Sequence, residues 1–205
     1  GFSGRVSAFH KQLDDPIVVV QRVDLGKNLD TYVNGNKGTI SGLELEGRWK
    51  GEGPFSITGN YAFIDSTLNY DVNQGLVVTP LETRFPFQPR QILNLTLGWE
   101  PEDNPWSAFL TANFTDEYPT ILRSEPDDYD VWLLPQFTLD LVIARKFQSD
   151  WIDATLTLGV RNLTEESRNY EYRGGPANSP SSSDGLTYTS EDPGRTVYLE
   201  LKAEF

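Results

Sequence analysis

Thr196-Val197-Tyr198-Leu199-Glu200-Leu201-Lys202-Ala203-Glu204-Phe205 is the stretch that decides the fold. Val197, Leu199, Leu201, Ala203 and Phe205 fall on one side of an extended chain, and Thr196, Tyr198, Glu200, Lys202 and Glu204 on the other. Successive strand side chains point to opposite faces, so this alternation predicts a strand with one apolar and one polar face.

The same pattern recurs upstream. Leu43, Leu45 and Trp49 oppose Glu44, Glu46 and Arg48, while Phe55, Ile57, Tyr61 and Phe63 oppose Ser56, Thr58 and Asn60. Leu93, Leu95, Leu97 and Trp99 oppose Asn94 and Thr96; Phe137, Leu139, Leu141 and Ile143 oppose Thr138 and Asp140. Ala154, Leu156, Leu158 and Val160 oppose Thr155 and Thr157. The 106–114 run is looser because Phe109 interrupts its polar side, and a first strand is expected around 4–13. Eight strands are therefore predicted, and no window shows apolar residues at helical spacing. Proline lacks the N–H that a ladder needs, and the prolines at 54, 80, 86, 89, 101, 105, 119, 126, 176, 180 and 193 are expected between strands. Pro135 is expected at the start of a strand, and Pro16 where the first strand ends early or bulges.

Short connections (Gly51 to Pro54, Pro101 to Pro105, Gln148 to Asp150) alternate with long ones at 14–37, 66–90, 116–134 and 165–194. All the short turns then lie at one end of the sheet, as in outer-membrane barrels. Strands of about ten residues at ~3.3 Å per residue, tilted near 40°, reach roughly 25 Å, the height of the apolar band of such barrels. Trp49, Trp99, Trp106 and Trp151 border the short turns with Phe205 at their level, an arrangement expected of an interfacial girdle. A soluble β-sandwich, with each tryptophan capping a core, remains the alternative.

Composition narrows the function. The chain has 205 residues, 17 Lys+Arg against 30 Asp+Glu, and a net charge of -13, so no nucleic-acid partner is expected. It has no cysteine and one histidine, His10, which excludes thiol chemistry and histidine-rich metal sites; no cofactor is expected. Mean hydropathy is -0.45 and no apolar run approaches the length of a spanning helix. The chain contains no methionine and starts at Gly1, so it is expected to be part of a longer product whose export signal lies upstream.

Several segments resemble the barrels of TonB-dependent outer-membrane receptors. They are Gly42-Leu43-Glu44-Leu45-Glu46 after Asn34 and Asn36, and Pro89-Arg90 leading into Leu93-Asn94-Leu95. Val160-Arg161-Asn162-Leu163-Thr164, and Gly194 to Tyr198 running to a terminal Phe205, complete the set. Thr164-Glu165 and Arg145-Lys146 depart from the family's commoner residues. The resemblance implies an all-β, antiparallel transmembrane β-barrel: about eight meandering strands, a partial barrel from a larger one of about 22. Residues 1–205 would be its C-terminal part, with the plug domain absent from this chain. It implies a receptor in the bacterial cell outer membrane for energy-coupled uptake of a scarce solute such as a siderophore, cobalamin or an oligosaccharide. Implied partners are outer-membrane lipid and lipopolysaccharide, the TonB complex through the missing N-terminal part, barrel-assembly machinery through the C-terminal strand, and the small solute. The rivals are a complete eight-stranded barrel acting as anchor or pore, and a soluble β-sandwich carbohydrate-binding module.

The solute-binding candidates are Asp127, Asp128, Tyr129, Asp130 and Trp132, where rings stand among acids. A solute would stack on the rings while the acids hold a cationic group; a solvated loop facing lipopolysaccharide is the bland alternative. Ser181, Ser182 and Ser183 have no base near them, and Glu44 with Glu46 fits a polar wall better than a glycosidase pair, so no enzyme is expected. The Asn-X-Thr matches at Asn94, Asn113 and Asn162 fall in or at the ends of strands and read as chance.

Overall fold

The computed structural model describes residues 1–24, 27–74, 76–125, 128–174 and 185–204, excepting the side chains of 22–28, 73 and 74. Its strands are β1 (Phe2–Asp14), β2 (Ile17–Asp24), β3 (Lys27–Lys50), β4 (Phe55–Gln74), β5 (Val77–Thr83), β6 (Gln91–Trp99) and β7 (Trp106–Thr115). They continue as β8 (Tyr118–Arg123), β9 (Asp130–Leu133), β10 (Gln136–Gln148), β11 (Asp153–Arg161), β12 (Arg168–Arg173), β13 (Thr187–Glu191) and β14 (Thr196–Glu204). No helix occurs among the described residues.

The eight strands expected from the sequence form one antiparallel meander, β1-β3-β4-β6-β7-β10-β11-β14. Register keeps their faces aligned. Phe2 opposes Trp49, and the row continues through Ile57, Leu97, Leu110, Leu141 and Val160 to Val197, one apolar residue from each strand. Among the described residues, no second layer covers this face. Leu97 and Leu158 are each 44 % exposed, and Val197, Leu199 and Leu201 are 62, 69 and 68 % exposed. A soluble sandwich would bury them between two sheets.

The opposite face carries a polar row. Arg5, Glu46, Asn60, Asn94, Asn113 and Thr138 stand in register. Asn94 Nδ2 donates to Asn60 Oδ1 at 2.9 Å, and Arg5 Nη2 to Glu46 Oε1 at 3.0 Å. In the wall, β1 pairs only with β3 and β14 only with β11, so the described sheet does not close on itself. An open sheet favours part of a larger barrel over a complete eight-stranded one.

Phe109 breaks the polar alternation for a steric reason. It lies directly opposite Gly98, and a Cβ there would come within 3.1 Å of the Phe109 ring. Gly42 opposite Phe9 and Gly159 opposite Tyr198 repeat the arrangement on the same face. An inward ring thus fills the space that the glycine across the ladder leaves.

The long connections differ from the expected loops, because they contain six further strands. β9 is the plainest case. Asp130, Val131 and Leu133 are buried and Trp132 is half-buried, hence the segment shows no apolar–polar alternation to read. Pro80 and Pro119 also lie inside strands rather than between them. Among the described residues β5 pairs only with β4, so Pro80 occupies an edge strand, and the β8–β9 register slips between Pro119 and Ile121.

The buried apolar cluster stands at the long-connection end. Val18 and Val20 of β2, Leu68, Tyr70 and Val72 of β4 and Leu122 of β8 form it, with Val33, Leu81 and Phe85 packed alongside. The β3–β4 irregularity falls at Gly35/Lys37 of β3, and β4 runs unbroken from Phe55 to Gln74. Its even-numbered side chains therefore keep one face, which puts Leu68, Tyr70 and Val72 on the side of Thr58 and Asn60. The order β13-β12-β9-β8-β2-β3 includes a short parallel pairing of Val20 with Leu122. The connections thus fold back as a layer across the polar side of the wall.

Candidate functional site

The site lies where that layer meets the wall. Glu117 follows β7, Arg84 precedes β6, Trp132 is on β9, and Glu171 and Arg173 are on β12. Glu117 Oε1 accepts from Arg84 Nη2 at 3.3 Å, and its Oε2 from Arg173 Nη2 at 2.7 Å. Arg173 also bonds Glu171 Oε1 at 2.6 Å. The guanidinium carbons of Arg84 and Arg173 lie 4.6 and 4.9 Å from the Trp132 ring centroid, within cation–π range. The hydrogen bond from Arg173 holds the Glu117 carboxyl below the usual carboxylate range, against the opposing effect of partial burial.

Of the sequence candidates, Asp127 lies outside the described residues. Asp128 accepts the Tyr129 backbone N–H at 2.9 Å and so shapes its own turn. The Tyr129 ring leans on Tyr172 at 5.5 Å, and Tyr172 meets Tyr188 edge-on at 5.2 Å. Asp130 is 6 % exposed. Its Oδ1 accepts the Arg123 backbone N–H at 2.9 Å and Nε–H at 3.2 Å, and its Oδ2 accepts from Nη2 at 3.0 Å. Trp132 is engaged by Arg84 and Arg173. The acids are thus dispersed among arginine partners and turns, and no three acidic or histidine side chains converge among the described residues. Tyr70 donates to the Arg123 carbonyl at 3.3 Å, and burial pushes its phenol up well above the usual tyrosine range.

Arg84, Glu171 and Arg173 were not singled out in the sequence. Arg84, Glu117 and the Glu171–Arg173 pair lie far apart along the chain, and only the fold-back of β8, β9 and β12 brings them together.

At the short-turn end, Trp49, Trp99 and Trp106 share the apolar face. Trp99 opposes Phe55, Trp49 opposes Ile57, and Trp106 opposes Arg145. The Arg145 guanidinium lies 5.2 Å from the Trp106 ring centroid and 4.8 Å from that of Phe147, so a cation on the apolar face is covered by rings. Trp151 stands 89 % exposed in the β10–β11 turn, and Phe205 lies outside the described residues. Toward the other end the same face turns polar. His10 Nδ1 and Ser41 Oγ share a hydrogen bond of 2.8 Å, and Asp65, opposite Ser41, pairs with Arg90 at 3.5 Å. An apolar belt is thus bounded by tryptophans on one side and by a polar row on the other. Ser181, Ser182 and Ser183 lie outside the described residues.

A wall with a bare apolar belt, a polar inner face and a layer folded over one end defines an outer-membrane type of β-barrel. Residues 1–163 match the family model described as TonB dependent receptor-like, beta-barrel. The match spans most of the chain, which therefore belongs to the TonB-dependent receptor barrel family. β14 lies beyond the matched stretch and continues the wall in register with β11. The family consists of outer-membrane transport receptors and is not an enzyme class. No curated protein matches the chain.

Proposed function

We propose that the chain is the C-terminal part of a barrel of about 22 strands, in a receptor for TonB-dependent uptake of a scarce solute such as a siderophore, cobalamin or an oligosaccharide. The plug and the remaining strands lie outside this chain. The observation that carries this is the open, single-layer wall, whose apolar row crosses all eight wall strands with no described residue layered over it. In lipid that row faces acyl chains, and the Arg5-to-Thr138 row faces the lumen. Trp49, Trp99, Trp106, Trp151 and Phe205 serve as the girdle on this proposal. The TonB complex acts through the missing N-terminal part, assembly machinery reads the C-terminal strand, and lipopolysaccharide borders the polar row at His10 and Asp65.

The solute meets the layer over the mouth. There Tyr129, beside Asp128, offers ring edge and acid, while Asp130 and Trp132 act through Arg123, Arg84 and Arg173. Spin labels at Leu95, Leu97 and Leu201 test the assignment in outer-membrane vesicles. They should report hydrocarbon, while labels at Asn94 and Glu200 report water. Water contact at all five positions would end it.

A further inference from the structure

Arg145 is a cation set in an apolar row. Leu139, Leu141 and Ile143 precede it on the same face of β10 and Phe147 follows it. Across the ladders it opposes Trp106 of β7 and Leu156 of β11. Arg5, Arg84, Arg90 and Arg123 each have a carboxylate within 3.5 Å. Among the described residues Arg145 has no ion pair and no side-chain hydrogen bond; it meets only the rings of Trp106 and Phe147. Rings attract the charge but present no carbonyl or carboxylate oxygen, so the guanidinium N–H groups still need an acceptor.

The surroundings of Arg145 are ordered along the outer face. Ile143 is in register with Trp99 through Ala108, and Arg145 lies two residues nearer the short turns. At ~3.3 Å per residue and a tilt near 40°, that places it roughly 5 Å outside the Trp99 row, at headgroup depth. On the hydrocarbon side is an open groove of about 440 Å³, lined by Trp49, Phe55, Leu97, Trp99, Leu110 and Leu141. On the turn side the charge reverses. The Pro105 carbonyl accepts the Lys146 N–H at 2.9 Å, which brings the β6–β7 turn, with Glu102 and Asp103, alongside the end of β10. The β10–β11 turn adds Asp150, and all three acids are exposed and form no ion pair among the described residues.

We propose that Arg145 binds the phosphate of a zwitterionic aminophospholipid in the leaflet at the short-turn end. An acyl chain lies in the groove beside Trp99 and Leu110, and the headgroup ammonium turns toward Glu102, Asp103 and Asp150. The proposal rests on the receptor assignment above, since Arg145 meets a headgroup only if its face is turned to lipid. Groove, cation and acids follow one another in the order of acyl chain, phosphate and ammonium. A guanidinium can give a phosphate two parallel N–H···O bonds. A phospholipid without an amine offers the acids no partner, and its net negative charge is repelled by them.

The test titrates the detergent-solubilised full-length receptor with phosphatidylethanolamine, phosphatidylglycerol or diacylglycerol of the same acyl chains, and native mass spectrometry counts the lipid retained. Wild type should hold phosphatidylethanolamine the most tightly and diacylglycerol the least. Arg145→Gln should weaken phosphatidylethanolamine retention about tenfold, as loss of a charge-assisted phosphate contact implies. Arg161→Gln, which removes a ring-stacked arginine from the polar face, should leave retention unchanged. Unchanged retention in Arg145→Gln, equal loss in Arg161→Gln, or no preference for phosphatidylethanolamine in wild type would overturn the site. If Arg145→Gln fails to assemble, Glu102→Gln combined with Asp103→Asn decides. That variant should narrow the preference for phosphatidylethanolamine over phosphatidylglycerol while both still outlast diacylglycerol, and an undiminished preference would overturn the proposal. A spin label at Leu97 that reports water in vesicles would refute the receptor assignment instead, whatever the lipid count.

Discussion

Asp140 Oδ1 accepts the backbone N–H of Asn162 at 2.8 Å, tying the end of β11 to the middle of β10. Asn162 has a φ of 54°, in the left-handed region where asparagine is tolerated better than most residues. Its Oδ1 accepts the Glu166 N–H at 2.9 Å, and its Nδ2 donates to the Glu166 and Gly194 carbonyls, each at 3.1 Å. The Val160-to-Thr164 motif is therefore a clamp that ends one wall strand and positions the approach to the last.

Replacing Asn162 with alanine should cost about 2–4 kcal/mol. It removes several hydrogen bonds worth about 1 kcal/mol each and leaves a left-handed φ without the residue that suits it. Asn162→Asp keeps the acceptor and loses the donor, so it should fall between wild type and alanine. Denaturant midpoints of the detergent-solubilised receptor would check the order.

Gly42→Ala should impair assembly. The added Cβ would overlap the Phe9 ring and sit 2.9 Å from the Phe63 carbonyl oxygen, which belongs to backbone and has little room to yield. A cost of about 1–3 kcal/mol follows from such overpacking. Gly53→Ala, with open space around it, should be neutral. Phe9→Ala combined with Gly42→Ala should restore only part of the loss, since the carbonyl clash remains; heat-modifiable gel mobility reports assembly.

Leu95→Lys should cost about 2–4 kcal/mol if its row faces the bilayer midplane, whereas Thr96→Lys on the opposite face should be tolerated. Equal penalties at the two positions would contradict the orientation of the wall. Folding yields into vesicles compare the two variants directly.

Glu117 gives a pH dependence of known sign. Its carboxyl is held below the usual range in the folded chain by Arg173, so its contribution is present in full above the ordinary glutamate pKa. It is lost as pH falls through the depressed folded value. Acid unfolding should therefore be less steep in Glu117→Gln than in wild type, with the two profiles parallel at neutral pH. Unfolding midpoints collected from neutral pH down through the carboxylate range would show this.

The wall was legible because each of its strands has one apolar and one polar face, so period two is written into Phe55 to Phe63 and Thr196 to Phe205 alike. Phe109 looked like an exception until Gly98 across the ladder explained it. The layer was not legible for the opposite reason. Asp130 to Leu133 is covered on both faces, and burial on both faces erases alternation. The loop acids were visible in sequence, but their partners were not. Asp130 finds Arg123 within one hairpin, whereas Glu117 finds Arg84 and Arg173 only through a strand order that runs from β12 back to β2.

The cluster around Leu68, Tyr70 and Leu122 has a consequence for how the molecule comes apart. It lies beyond the polar row at His10 and Asp65, hence in water, where burial of apolar surface favours compactness; between side chains in lipid that drive is absent. The two regions are therefore held by different forces with different heat responses. Scanning calorimetry of the intact receptor should resolve two endotherms, and the aqueous one alone should shift when Leu122 is shortened to alanine.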